Sequence, residues 1–377
     1  ILEKLTTALF VVAKNPRNPQ YNHYLFECIA LLVKSVCAKH PEHVSAFEGM
    51  LFPPFQQVLQ MDVAEFTPYV FQILAQLLEY RPQNSGLGES YGALLPPLLF
   101  PDVWTRKGNI PALTRLLQAY IMKGSTEIVS MAKLQPILGI FQKLVASKAT
   151  EISSFDLLGS ITRYIPSASL EPMMKEIFRL LLMRLQKGKT ARYVRLVTGY
   201  FAQYVGQFGS TKFIELLVSM QPNLPPMIFS QVWMPRLATD PPVRSEVKIQ
   251  IVGLTKIVSE TPSLLADPNS QQIWLQALMA VVKIITSHES YLGSAANDNA
   301  DQDEAEISYD PTFSRLHFAA RPVFDPFNQI QNPAKAFADA LGQARASNGA
   351  AVQQLIQQGQ TTDPKTFAKF EAMMSRF

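Results

Sequence analysis

The sequence predicts an all-α protein built as a HEAT-repeat (α-α superhelix) solenoid. Hydrophobic residues follow helical three- and four-residue steps almost throughout, as in "YNHYLFECIALLVKSVCAKH" and "EFTPYVFQILAQLLEY". Alternating strand patterns joined by hairpin dipeptides are missing from the sequence. The helices also recur at a regular spacing, which favours a stacked array over the alternative of one irregular helical domain. Stacked helix pairs share a continuous core that no single pair could bury alone.

The first helix of each predicted pair recurs along the chain. Predicted starts lie near Asn22, Glu65, Pro111, Ser153, Lys189 and Val243, at intervals of 43, 46, 42, 36 and 54 residues. HEAT and armadillo repeats span about 40–47 residues. Several first helices end at a proline-containing break: His40-Pro41, Arg81-Pro82, Ile165-Pro166 and Thr261-Pro262. Proline suits the first turn of a helix and disfavours helix at the residue before it, so these breaks separate the members of a pair.

Three regions are expected. Residues 1–288 form the repeat array, residues 289–310 an acidic inserted loop, and residues 311–377 a terminal helical repeat with capping helices. The stretch from Glu289 to Asp310 holds seven acidic residues and no Lys or Arg, which is typical of a long inserted loop. Residues 332–360 are rich in Ala and Gln with a weaker apolar face, as expected of a cap whose outer face meets solvent.

The composition argues against several classes of protein. The 377 residues are 47% hydrophobic and 17% charged, which argues against a disordered chain and a coiled coil. A net charge of +4 argues only weakly for nucleic acid. The chain begins at Ile1 inside a predicted helix, so we expect a fragment of a longer protein, without signal peptide or membrane span. Cys28 and Cys37 lie nine residues apart, too far for a disulfide on one helix, which points to a reducing, intracellular compartment. We also expect a monomer.

Two motifs resemble a metal site and a phosphate-binding loop, but neither meets the requirements of such a site. Cys37, His40 and His43 form C-x2-H-x2-H, but a zinc site needs a fourth ligand and Pro41 bends the chain between these three. "MRLQKGKT", residues 183–190, ends like a phosphate-binding loop but lacks the first glycine and a preceding strand. No nucleophile, carboxylate-pair or metalloprotease signature occurs. We therefore expect no enzymatic activity, cofactor or metal.

Two charged stretches are candidate contact surfaces. One is basic and contains no acid: Arg179, Arg184, Lys187, Lys189, Arg192 and Arg195. Charges at helix ends often only complement the helix dipole, and the alternative is contact with an acidic protein surface. A contact with nucleic acid is a further alternative, and it predicts a steep loss of affinity with salt. The acidic stretch, with Asp301, Asp303, Glu304 and Glu306, is either a solvated insertion or a clasp for a basic partner.

The segment "DVWTRKGN", residues 102–109, precedes an amphipathic helix. Trp104 is expected to pack against neighbouring repeats and Pro111 to start the helix. Arg106 and Lys107 are expected to be exposed, either to water or to a partner. The segment is thus a joint between repeats that is also a candidate contact.

Five segments of the sequence resemble one family. "YNHYLFECIALLVK", "EFTPYVFQILAQLLEY", "TRKGNIPALTRLLQAYI", "FQKLVASKA" and "PTFSRLHFA" closely resemble segments of the CAS exportins, in the same order, from about Asn22 to Ala320. These are the β-karyopherins that return importin-α from nucleus to cytoplasm. The resemblance implies the C-terminal HEAT repeats of such a receptor, which shuttles through the nuclear pore and contacts importin-α as cargo together with Ran-GTP. The rival is a generic HEAT scaffold, or another β-karyopherin with a different cargo.

Overall fold

The computed structural model describes residues 1–83, 85–266, 268–293, 315–320 and 325–375. Throughout these ranges the regular secondary structure is helical, which confirms the predicted all-α HEAT-repeat fold class. The chain divides into two compact units. Unit 1 comprises residues 1–172 and 306–322, and unit 2 comprises residues 173–305 and 323–377.

Unit 1 is built from successive helices joined by short turns. Its helices are α1 (Leu2–Ala13), α2 (Pro19–Cys37), α3 (Val44–Gln60), α4 (Thr67–Tyr80), α5 (Gly88–Leu98), α6 (Ile110–Ser130), α7 (Leu134–Val145) and α8 (Glu151–Tyr164), followed by α9 (Ser167–Lys187), which continues into unit 2. Helix α2 begins at a proline whose preceding residue, Asn18, accepts the Tyr21 N–H with its side chain at 3.1 Å. An asparagine cap followed by proline at the first helical position fixes this start.

The core of unit 1 is centred on α4. Every residue of this helix from Thr67 to Leu78 is buried, because α2, α3 and α6 pack around it. Tyr91 of α5 donates its hydroxyl to the Leu74 carbonyl at 2.8 Å, and Tyr120 of α6 donates to the Tyr91 carbonyl at 2.9 Å. Buried hydroxyls with partners let these large rings fill the core without stranding a polar atom.

A non-helical segment, residues 315–320, is docked on α2 and α4. The Glu27 carboxylate accepts the N–H groups of His317 and Phe318, at 2.6 and 3.1 Å. From α4, the Gln72 side chain accepts the Leu316 N–H at 2.9 Å, and the Gln76 side chain donates to the Phe318 carbonyl at 3.0 Å. Leu316 and Ala319 are fully buried. The segment is therefore held by its backbone polar groups as well as by apolar contact.

Unit 2 is also built from successive helices, with a less regular middle. Its helices are α10 (Ala191–Phe208), α11 (Ser210–Met220), α12 (Leu224–Ile228), α13 (Met234–Thr239), α14 (Arg244–Glu260), α15 (Pro268–Ser287), α16 (Glu289–Gly293), α17 (Pro333–Ser347), α18 (Gly349–Thr362) and α19 (Pro364–Met374). A π-helical turn, Phe229–Trp233, joins α12 directly to α13. The described residues of the acidic stretch form the short helix α16, Glu289–Gly293.

The core of unit 2 is centred on α14, which packs against α10, α15 and α17. At Gly253, a Cβ atom would lie 2.6 Å from the Ala202 carbonyl oxygen, so α14 and α10 approach with their backbones nearly in contact. Aromatic rings fill the neighbouring space. Phe201 stacks on Phe178 with ring centroids 5.6 Å apart, and Phe229 stacks on Trp233 at 5.4 Å.

The predicted first helices are close to the observed ones. Observed starts at Pro19, Thr67, Ile110, Glu151, Ala191 and Arg244 lie within three residues of the predicted positions. The proline-containing breaks also lie at helix ends, since α4 ends at Tyr80 and α8 at Tyr164. The long last interval arises because three helices and a π-helical turn lie between α10 and α14.

None of the described helices is both long enough and apolar enough to cross a membrane.

Candidate functional site

The segment between α5 and α6 combines a buried anchor with exposed charge. Trp104 is buried, and its indole N–H donates to the Leu98 carbonyl at 2.8 Å. Two short 3-10 turns, Pro101–Trp104 and Lys107–Asn109, carry the chain to the start of α6. The burial expected of Trp104 is confirmed.

The two cations of this segment have different surroundings. The Arg106 guanidinium forms a two-pronged ion pair with the Asp62 carboxylate, and both side chains are at least half exposed. This pair holds the pKa of the Asp62 carboxyl below its ordinary value, chiefly through the hydrogen bonds from Arg106. Lys107 is exposed on the following turn. Arg106 thus has an internal partner, and an exposed pair of this kind adds little to stability.

A groove lies between α3 and α5, and Arg106 is among its lining residues. Its volume is about 1110 Å³. On α3 the lining positions run from Glu48 to Gln60, a distance of about 18 Å at a rise of about 1.5 Å per residue. The apolar part of its wall includes the half-buried side chains of Phe52 and Leu94. The groove is thus long enough for a peptide segment rather than only a small molecule.

The charged lining of this groove is mainly acidic. Glu89 and Asp102 are exposed carboxylates, whereas Glu48 is bound by Arg81 at 2.9 Å. Among the described lining residues Arg106 is the one cation, and Asp62 already pairs with it. We call this feature the α3–α5 groove.

The basic stretch predicted from the sequence lies at the turn between α9 and α10. Lys187 ends α9, and Lys189 and Arg192 flank the start of α10, where Thr190 accepts the Tyr193 N–H at 3.1 Å. The side chains of Lys187, Lys189 and Arg192 are exposed. The structure therefore brings these three positive charges together at one exposed turn, which we call the α9–α10 turn.

The other cations of this stretch have internal roles. Arg184 donates to the Gly188 carbonyl at 2.8 Å and lies over the Tyr193 ring, 4.8 Å from its centroid. Arg195 forms a two-pronged pair with Asp240, at 2.6 and 3.0 Å. Arg179 pairs with Glu176 on the exposed face of α9. Much of the charge on these three groups is therefore balanced within the protein.

The Arg195–Asp240 pair belongs to a larger charged cluster. Arg236 is almost fully buried and binds Glu246 at 2.6 Å, and Glu246 also lies 3.8 Å from Arg195. The cluster holds two cations and two anions close together. Removing one of them would leave a buried charge uncompensated. The cluster joins α10, α13 and α14, so we assign Arg195 a structural contribution besides any contact it makes.

The acidic candidates Asp301, Asp303, Glu304 and Glu306 lie outside the described residues.

The C-x2-H-x2-H motif lies at the end of α2. Cys37 is buried, and burial together with the nearby Glu48 charge raises the pKa of its thiol to about 11. His40 and His43 are exposed, and His40 contacts Glu42 at 3.1 Å. In the described ranges, no group of three or more His, Cys, Asp or Glu side chains is placed to hold a metal ion.

Sequence reasoning did not identify the residues that hold the docked segment. Glu27, Gln72 and Gln76 read as ordinary polar positions within "YNHYLFECIALLVK" and "EFTPYVFQILAQLLEY". A signal is present in retrospect: each lies among residues of an apolar helix face, where an unpaired polar side chain would be costly. Their partners are 242 to 291 residues away, beyond the reach of any periodicity argument.

The stacked helix pairs define an all-α protein of the HEAT-repeat class. Residues 1–369 match the model of the CAS/CSE protein family, C-terminus. The Exportin-2 of Drosophila melanogaster is 38% identical over 350 residues, covering 92% of this chain, and that of Homo sapiens is 36% identical over 343 residues, covering 89%. A solved structure described as the exportin Cse1 in its cargo-free, cytoplasmic state superposes with a TM-score of 0.83 at 29% identity, over 99% of this chain.

The chain belongs to the CAS/CSE protein family, matching the model of its C-terminal part. The matched region is 36% of the Drosophila protein, 34% of the human protein and 37% of the solved exportin chain. The chain thus spans about a third of the length of these relatives.

Proposed function

We propose that this chain is part of a nuclear export receptor of the β-karyopherin type, which binds importin-α together with Ran-GTP and carries it from nucleus to cytoplasm. The observation that carries the proposal is the similarity to a solved exportin over 99% of the chain at a TM-score of 0.83, with Exportin-2 relatives of 36–38% identity. The sequence segments that resemble CAS exportins imply importin-α as the cargo and Ran-GTP as the second ligand.

The receptor acts by binding rather than by catalysis, without cofactor or metal, and it shuttles through the nuclear pore as a monomer. Neither nucleic acid nor a membrane is its partner. In this proposal residues 1–288 supply the repeat array, residues 289–310 an acidic insertion and residues 311–377 the terminal repeat and cap, except that residues 315–320 dock on α2 and α4 of the array. Repeat units contact mainly their neighbours, so small rotations at each joint add up to a change in curvature. Ran-GTP and importin-α favour the same curvature and therefore strengthen each other's binding.

The α9–α10 turn is the proposed contact with an acidic surface of a protein partner. Three features support it: Lys187, Lys189 and Arg192 are exposed, they lie within six residues, and Gly188 and Thr190 place them at a helix junction. Arg106 and Lys107 form a second, smaller candidate contact in unit 1, and Arg184 and Arg195 border the first. The four acidic residues Asp301, Asp303, Glu304 and Glu306 are proposed as a clasp for a basic partner surface.

Reversing the three charges at once tests the α9–α10 turn. We expect the variant K187E/K189E/R192E to bind importin-α about tenfold more weakly in the presence of Ran-GTP, because a rim charge that meets an opposite charge steers and stabilises the complex. The measurement is calorimetric titration at low and at moderate salt. The wild-type affinity should fall with salt, and the variant's should change less.

A matched control separates this contact from a general effect of charge. K335E/K365E/K369E makes the same change in net charge at three exposed lysines on α17 and α19 of the same unit. The control should bind like the wild type. Equal binding by both variants would contradict the assignment of this turn, and strong salt-dependent binding of duplex DNA would favour a nucleic-acid function instead.

A further inference from the structure

The α3–α5 groove is a surface distinct from the α9–α10 turn. Each of its helices contains two consecutive prolines, Pro53-Pro54 in α3 and Pro96-Pro97 in α5. A proline nitrogen has no hydrogen, so it cannot donate to the carbonyl four residues earlier in a helix. Gly49 and Ala93 are among the lining residues, and their carbonyl oxygens therefore lack their usual helical donor.

These carbonyls add acceptors to a lining whose charged groups are mainly acidic. Glu89 lies in the first turn of α5, and Asp102 follows the end of that helix. Both side chains are exposed. The carboxylates of Glu48 and Asp62 are already matched by Arg81 and Arg106. The net charge of the free lining groups is thus negative, and a ligand that offers N–H, ammonium or guanidinium donors matches it.

Part of the lining is apolar, and several of its apolar side chains are not fully buried. Phe52, Leu59 and Val103 are half-buried rather than covered by neighbouring helices. Lining positions on α3 fall at three- and four-residue spacings from Glu48 to Gln60, so one face of this helix is presented along about 18 Å. A helical segment of about 12 residues has this length. An apolar floor with acceptors at its edge fits an amphipathic helix laid lengthwise.

The geometry points to the α3–α5 groove as a docking site for a basic amphipathic segment of a protein partner. Its apolar side chains fill the space beside Phe52 and Leu94. Its Lys or Arg side chains meet Glu89, Asp102 and the carbonyls released at the proline positions. Negative charge at the rim disfavours an acidic segment, and the mixed lining disfavours a purely apolar one.

The test uses synthetic peptides and the whole chain. Three labelled helical peptides of about 12 residues share one apolar face and carry Lys, Glu or Ser on the opposite face. Fluorescence anisotropy should show binding of the Lys peptide, weakened by salt, and at least about tenfold weaker binding of the other two. Equal binding of all three peptides, or no binding of the Lys peptide, would overturn the proposal.

A variant pair places the binding on this groove. E89K/D102K reverses the two exposed carboxylates and should reduce the affinity for the Lys peptide by at least about tenfold. The control E3K/D339K makes the same charge change at exposed carboxylates on α1 and α17, neither of which lines the groove, and should bind the Lys peptide like the wild type. Retention of binding by E89K/D102K with a wild-type circular dichroism spectrum would contradict the assignment. All four substitutions are at exposed side chains, so the fold is expected to survive.

Discussion

Replacing Glu27 by alanine is expected to release residues 315–320 from α2 and α4 and to lower the free energy of unfolding by about 3 kcal/mol, since two hydrogen bonds to a charged acceptor are lost. The carboxylate accepts the His317 and Phe318 N–H groups at 2.6 and 3.1 Å in a largely buried setting. Removing it leaves both amide donors without their acceptor. Urea denaturation followed by circular dichroism measures the loss of stability.

Amide hydrogen exchange gives a local measure of the same change. The amides of Leu316, His317 and Phe318 should exchange much faster in Glu27→Ala than in the wild type, because local detachment exposes them to water. Glu65→Ala removes an exposed carboxylate of the same unit and should leave both stability and exchange unchanged. Unaltered protection of the His317 and Phe318 amides in Glu27→Ala would contradict this account of how the segment is held.

Replacing Gly253 by alanine is expected to lower the free energy of unfolding by about 2–3 kcal/mol, because overpacking a close contact forces the backbone to move. The new Cβ would lie 2.6 Å from the carbonyl oxygen of Ala202 and 2.7 Å from its Cα. Both atoms belong to the backbone of α10, so no side-chain rotation relieves the clash. Helices α10 and α14 must separate, and unit 2 loses packing at its centre.

Gly199→Ala is the matched control on the partner helix. A Cβ at Gly199 would meet no atom within 4 Å, so the substitution changes only the helix propensity. It should stabilise the protein by about 0.5–1 kcal/mol, since glycine costs about that much within a helix. Urea denaturation of the two variants should therefore shift in opposite directions. Equal stability of Gly253→Ala and the wild type would show that the helices do not approach as described.

The helix order could be predicted from the sequence because its signals are local. Apolar residues at three- and four-residue steps mark each helix face, and prolines mark the joints. Asn18-Pro19 and Asn332-Pro333 illustrate this, since in each the asparagine side chain caps a helix that begins at the proline. The π-helical turn at Phe229–Trp233 has no comparable local signal, so the irregular middle of unit 2 was visible only as a long interval.

The surfaces were only partly predictable, because charge in a sequence does not reveal its partner. Arg184 and Lys187 look alike within "MRLQKGKT", yet Arg184 lies over the Tyr193 ring and Lys187 is exposed. The main partner of Arg195, Asp240, lies 45 residues away. The α3–α5 groove was missed for a similar reason. It depends on how two helices flank a space, and the sequence shows only that each contains a proline pair.

Importin-α binding is proposed to be coupled to Ran-GTP binding. Calorimetric titration of importin-α into this chain, with and without saturating Ran-GTP, tests it most directly. We expect measurable binding that Ran-GTP strengthens by a coupling free energy of about 1–3 kcal/mol. Equal affinity in the two titrations, or no binding in either, would contradict it.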